Sequence, residues 1–222
     1  MYPVLLDISG RLCVVIGGGE VAERKVKGLL AAEATVRVVS PEITGELALL
    51  ARQGMIEWRR KTYTDDDLDG AILVFAATSD REVQEMIVRR ANANGQLLNV
   101  ADDPASCTFQ VPATHRQGDL TMTVSTGGTS PAVAAMIRRQ LEEAYGAEYD
   151  FLLRLMAMVR EMTAAEGEDT SQEERKKIYK KILHNDIIQW IRTGRIDRLR
   201  EHLRDVLGSE MELDATLPEL KR

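Results

Sequence analysis

The stretch Leu12-Cys13-Val14-Val15-Ile16-Gly17-Gly18-Gly19-Glu20-Val21-Ala22 constrains the fold of this chain more than any other. Five apolar residues run into three glycines, after which Val21, Ala22, Val26, Leu29 and Leu30 recur at helical spacing. The reading is a buried strand, a tight turn and a helix start. The spacing from Gly17 to Ala22 is G-x-G-x-x-A, in which each small residue has a task in dinucleotide binding. Gly17 permits the turn, Gly19 removes a side chain where helix N-terminal N–H groups approach a pyrophosphate, and Ala22 lets the helix pack closely on the strand. Glycine-rich turns also occur where nothing binds, so context decides. Here a second strand, Thr35 to Val39, follows the helix, and a right-handed β-α-β crossover puts the turn at the carboxyl edge of the sheet.

The alternation continues. Ser40-Pro41-Glu42 reads as a strand-end loop and Glu42 to Gln53 as a helix with Leu47, Leu50 and Ala51 inward, ended by Gly54. Ile56 to Arg60 reads as a half-exposed strand, and the acidic Thr64 to Asp69 as a solvated helix start rather than a metal site. Ala71 to Ala76 is a buried strand, Asp80 caps a helix to about Ala93, and Gln96 to Ala101 is the next strand. This is the pattern of an α/β fold with a Rossmann-type parallel sheet.

Near Asp102 the period changes. Thr108 to Thr114 and Leu120 to Thr126 alternate about a Gln117-Gly118-Asp119 turn, which predicts an antiparallel hairpin. Ser130 and Pro131 then supply an N-cap and a first helical position. From about Glu148 the pattern is all-helical: Tyr149 to Ala164, a polar linker Ala165 to Thr170, and helices near Ser171 to Leu183, Asp186 to Thr193 and Ile196 to Leu207. The polar end, Gly208 to Arg222, is expected to fray. The expected organisation is a Rossmann domain over 1–113, a strand-helix region over 114–147, a helical domain over 148–208 and a tail over 209–222.

Composition narrows the function. With 222 residues the chain is expected to be one main domain with an appendage rather than a fragment. A net charge of −6 argues against a nucleic-acid binder. No apolar run approaches the ~20 residues that span a bilayer, and the N-terminus lacks the pattern of a signal peptide, so no membrane partner and a cytoplasmic location are expected. Cys13 and Cys107 have no metal-ligand or disulfide spacing, and Cys13 reads as an inert core thiol.

Three motifs carry a resemblance. Gly17-Gly18-Gly19-Glu20-Val21-Ala22-Glu23-Arg24-Lys25, Asn99-Val100-Ala101-Asp102-Asp103-Pro104 and Ser125-Thr126-Gly127-Gly128-Thr129-Ser130-Pro131 resemble, in order, those of the dehydrogenase module of the siroheme synthase family. That family contains precorrin-2 dehydrogenases, some of which are also sirohydrochlorin ferrochelatases; its larger fusions add a methyltransferase domain, for which this chain is too short. The resemblance covers residues 1 to about 207. It implies a homodimer, with 114–147 as its dimerisation region, that oxidises precorrin-2 to sirohydrochlorin with NAD, with ferrous ion as the substrate of an open second activity; the sequence itself shows no dedicated metal-ligand cluster.

By motif match, Gly17, Gly18, Gly19, Glu20 and Val21 bind the cofactor, with Pro41 and Glu42 as second-strand contacts and Thr78 as a further candidate. Ser40 departs from the generic fingerprint, in which an acidic residue about twenty positions after the glycines holds the adenine ribose. Glu42 stands slightly further on, so NAD rather than NADP rests mainly on the resemblance.

Asp102 matches the family's catalytic aspartate, and a carboxylate following a buried strand at the ligand-binding edge could accept a proton. An Asx-type turn is the competing reading of Asp102-Asp103-Pro104, and it suits Asp103 better. Thr126, Gly127, Gly128 and Ser130 are substrate-binding candidates: exposed N–H groups before a capped helix suit the substrate's acetates and propionates, although a plain capping loop reads the same way. Thr126 matches a hydroxyl position of the motif but has no chemical role assigned. His115, at the end of the first hairpin strand, His184 and His202 read as surface or capping residues. The stripe Leu152, Leu155, Met156, Val159 reads as helix packing. The rival to a dehydrogenase is a non-enzymatic NAD(H)-sensing module whose helical half signals to a partner.

Overall fold

The computed structural model describes residues 1–165, 171–184 and 186–208. They form two compact units, Met1–Val111 and the chain from Pro112 onward.

The first unit is a five-stranded parallel sheet in the order β3-β2-β1-β4-β5. Its strands are β1 (Leu12–Ile16), β2 (Thr35–Val39), β3 (Glu57–Arg59), β4 (Leu73–Ala76) and β5 (Leu97–Val100), and its helices are α1 (Glu20–Leu30), α2 (Gly45–Arg52) and α3 (Arg81–Ala93). Period-two alternation sorts the strands between two cores. Cys13, Val15, Val36, Val38 and Phe75 pack with Ala22, Val26 and Leu29 of α1 and Leu47 of α2. Val14, Ile16, Val39, Val74 and Leu98 pack on the other side with Ile87 and Ala91 of α3. Each fully buried aliphatic side chain, such as Ile87 at 0 % exposure, contributes roughly 1.5–3 kcal/mol. Cys13 is inert: wholly buried, its thiol is pushed up to about 11 by desolvation.

The acidic run departs from expectation. Asp65–Leu68 is a single 3-10 turn, and Asp67 within it is completely buried rather than solvated. Its carboxylate accepts from Arg59 Nη1 (2.9 Å), from the Thr64 backbone N–H (2.9 Å) and from the Thr64 hydroxyl (3.1 Å), and Lys61 Nζ lies 3.0 Å away. Burial works against the charge, but these donors outweigh it and hold the carboxyl below the usual range.

The second unit begins with an antiparallel hairpin, β6 (Ala113–Gln117) and β7 (Leu120–Val124). The first hairpin strand was expected over Thr108 to Thr114. Instead Thr108 turns back on β5, its N–H donating to Leu98 O (2.9 Å) and its hydroxyl accepting from Leu98 N (2.7 Å). These bonds hold the segment through Val111 in the first unit, and His115 pairs with Met122 in mid-strand. Helices α4 (Pro131–Ala144), α5 (Ala147–Ala165), α6 (Gln172–Ile182), α7 (Ile187–Arg192) and α8 (Ile196–Leu207) follow. Phe151, Leu152, Leu155 and Val159 of α5 pack with Ile182, Ile187, Leu199 and Leu203, so the stripe on α5 is core. Ala165 still belongs to α5, while the rest of the expected linker, 166–170, and the tail from 209 on lie outside the described residues.

Candidate functional site

The carboxyl edge of the sheet is where β1 breaks into the glycines. Gly17 has φ +123°, a conformation open to glycine, and a Cβ there would lie 2.7 Å from the Ala77 carbonyl carbon and 3.2 Å from Thr78 N. A Cβ on Gly18 would lie 2.9 Å from both the Glu42 carbonyl carbon and Ile43 Cγ2. Thr44 N also donates to Gly18 O at 2.9 Å, fastening the loop after β2 to the turn. Gly19 differs. A Cβ on it would meet nothing of the chain within 4 Å. It is the N-cap of α1, where the first N–H groups have no intrahelical partner and the dipole favours an anion. The open space beside those N–H groups fits a pyrophosphate, which the closed backbone at Gly17 and Gly18 would not admit.

Other cofactor candidates border this turn. Glu20 and Val21 open α1 on its exposed side. Ser40 is spent on structure, its hydroxyl donating to Glu42 O (2.6 Å) and its carbonyl accepting from Trp58 Nε1 (3.0 Å). Pro41 and Glu42 are exposed, and the Glu42 carboxylate has no ion pair among the described residues. The acid at this strand end is Glu42, while Ser40 is held by the loop's own bonds. Thr78 accepts from Asp80 N (3.2 Å) and gives its carbonyl to Gln84 Nε2 (2.6 Å), which fixes the end of β4 beside Gly17.

One strand over, Ala101 N donates to Ala76 O (2.9 Å) and Ala77 N to Ile16 O (2.7 Å), so a ladder of backbone bonds joins the glycine turn to the loop carrying Asp102. Asp102 has φ +61°. Among the described residues only Glu33 shares this left-handed state without being glycine, and Glu33 terminates α1. Asp102 ends no helix. It is exposed, and no described residue hydrogen-bonds its carboxylate. Asp103 is the turn residue, as the spacing suggests: its carboxylate accepts from Ser106 Oγ at 2.6 Å, a bond that lowers its pKa.

The sequence reading passed over the group that holds this loop. Cys107 accepts from Val100 N (3.2 Å) and approaches Val100 O (3.4 Å) and Asp103 O (3.3 Å), while Asn99 Nδ2 donates to Phe109 O (3.2 Å). A lone cysteine without ligand spacing carries no sequence signal for such a role. Lys25 is a charged residue three positions after Ala22, on the buried stripe of α1, a placement that marks it as unusual.

In the second unit, the candidate loop is self-contained. Thr126 Oγ1 accepts from Ser130 N (3.0 Å) and donates to Ser130 O (3.1 Å), and Ser130 Oγ accepts from Val133 N (3.3 Å) as N-cap. The Thr126 hydroxyl thus shapes the loop. Gly127 and Gly128 have φ +63° and +87° and are exposed, which presents backbone rather than side chains. Two histidines have structural positions: His115 Nε2 lies 2.8 Å from Tyr145 O, and His202 Nε2 lies 3.1 Å from Lys181 O at the end of α6.

Comparison with known proteins identifies relatives along nearly the whole of the chain. Residues 4–113 match a family described as putative NAD(P)-binding, and residues 117–144 one described as sirohaem biosynthesis protein central. The siroheme synthase of Methylobacillus flagellatus is 36 % identical over 211 residues, which cover 95 % of this chain and 45 % of that protein. That of Pseudomonas aeruginosa is 37 % identical over 205 residues, covering 90 % and 44 %. The chain therefore spans somewhat under half the length of the curated relatives it matches. The solved structure of SirC, a precorrin-2 dehydrogenase, superposes with a TM-score of 0.78 at 26 % identity, covering 94 % of this chain and 100 % of that one.

Proposed function

This chain belongs to the siroheme synthase family, of which it carries the NAD-binding and central segments, and from that premise we propose that it oxidises precorrin-2 to sirohydrochlorin in siroheme biosynthesis. NAD bound at the glycine turn supplies the hydride acceptor. The N–H groups opening α1 hold its pyrophosphate beside Gly19, Glu42 receives a ribose hydroxyl, and Glu20, Val21, Pro41 and Thr78 border it.

The oxidation removes two electrons and two protons from the substrate, one proton leaving with both electrons as hydride and the other needing a base. Asp102 is that base. The observation that carries this reading is its state at the end of β5: left-handed, exposed and without a hydrogen-bond partner among the described residues. A turn residue would spend its carboxylate locally, as Asp103 does on Ser106. The same carboxylate could take pyrrole protons when ferrous ion enters the ring as substrate. Gly128 receives a substrate carboxylate on its backbone N–H, in a loop where the Gly127 N–H is spent on Ser125 Oγ and the Ser130 N–H on Thr126 Oγ1.

The protein works as a homodimer in the cytoplasm, with residues 114–147 as the dimerisation region between a Rossmann domain (1–113) and a helical domain (148–208). The support is the hairpin β6-β7, a two-stranded sheet whose edges need cover, and the exposed Val133 and Met136 one turn apart on α4. No described helix is long and apolar enough to cross a membrane. Anaerobic incubation with precorrin-2 and NAD tests the function. Sirohydrochlorin appearing with NADH is expected; NAD binding without conversion would favour the sensing module.

A further inference from the structure

We propose that Lys25 is a binding residue for a carboxylate of the tetrapyrrole substrate, a proposal that rests on the function inferred above. Lys25 lies on α1 with Ala22 and Leu29, positions that face the sheet, and it is only partly exposed. Its ammonium stands 5.2 Å from the centre of the Phe75 ring, on which Phe109 packs edge-on with centroids 5.4 Å apart. Phe75 is in register with Asn99, whose amide holds Phe109 O, so Lys25 lies over the β4–β5 side of the sheet beside the elements that carry Asp102.

A cation in such a place ordinarily has a carboxylate partner. Lys25 has none among the described residues, although Lys27 on the outer face of the same helix pairs with Glu23 at 2.7 Å. Its charged neighbour is Arg24, which repels it. Burial first and Arg24 second lower its pKa. The ring of Phe75 offsets part of this cost. An anion brought by a ligand would offset the rest.

That anion differs from the one at the glycine turn. Lys25 stands five positions past Glu20, the first residue of α1, about 7.5 Å along the helix axis, and it turns toward Phe75 rather than toward the turn. A substrate lying against Asp102 and bearing acetate and propionate groups has such an anion to offer.

The test uses the whole chain under anaerobic conditions, with sirohydrochlorin as probe, in wild type, Lys25→Met and Lys25→Arg. The loss of one charge-assisted hydrogen bond predicts that Lys25→Met binds sirohydrochlorin about tenfold more weakly, with a shallower salt dependence, while NAD affinity stays within about twofold. Lys25→Arg is expected to retain most of the affinity, and Lys25→Met to melt no lower than wild type. Unchanged sirohydrochlorin affinity in Lys25→Met would overturn the proposal, and a lowered melting temperature alongside it would make Lys25 a brace for Phe75. A selective loss of NAD affinity would assign the charge to the cofactor's phosphates instead. Wild type that binds no sirohydrochlorin would overturn the function itself, separately from the role of Lys25.

Discussion

The Glu42 carbonyl occupies the space where a side chain on Gly18 would begin, its carbon 2.9 Å from an ideal Cβ. Gly18 and the loop after β2 are therefore one packed unit, whereas Gly19, one residue on, faces open space.

The three glycines should separate by experiment. Gly18→Ala must push the Glu42 loop away and is expected to lower stability by about 1–3 kcal/mol, and Gly17→Ala to do at least as much because φ is +123° there. Gly19→Val should melt like wild type and lose NAD binding. Chemical denaturation and calorimetric titration of each variant check this; unchanged NAD affinity in Gly19→Val would remove the turn from the cofactor site.

Asp67 gives a stability prediction with a sign. Arg59 and Lys61 are partly exposed and Arg59 keeps Glu57, so Asp67→Ala, which removes the acceptor they share with Thr64, should cost about 1–3 kcal/mol. Because its folded-state pKa is depressed, the stabilisation is fully present above the unfolded carboxylate pKa of about 3.9. It is lost as pH falls through that value toward the folded one. Urea titrations from neutral to acid pH should show wild type losing its advantage over Asp67→Asn only in that acid window.

The dimer proposed for the second unit predicts a dimer in sedimentation at micromolar concentration. Replacing Val133 and Met136, 41 % and 46 % exposed, by Asp should yield a folded monomer if α4 lies at the interface. A wild-type monomer would contradict the assignment of 114–147.

How far the sequence was legible depended on periodicity. β1, β2 and the glycine turn follow from runs of Val and Ile and from backbone positions where a side chain does not fit. The strand over Thr108 to Thr114 was misplaced because alternation cannot tell a hairpin strand from a segment that hydrogen-bonds sideways to β5 through Thr108 and Cys107. Asp67 was read as solvated because an acidic run shows charge but hides its partners, which lie on β3 and just beyond it. The Asp102 motif is visible in the sequence; its left-handed backbone, and the contrast with Asp103, which spends its own carboxylate on Ser106, are not.

The central claim is that Asp102 takes a proton while hydride leaves the substrate for NAD. Single-turnover absorbance under anaerobic conditions, comparing wild type with Asp102→Asn, tests it most directly. Asn tolerates the left-handed turn, so the variant should fold and bind NAD like wild type, and NADH and sirohydrochlorin should form together about 100-fold more slowly or worse. An Asp102→Asn enzyme that forms both products at the wild-type rate would contradict the claim.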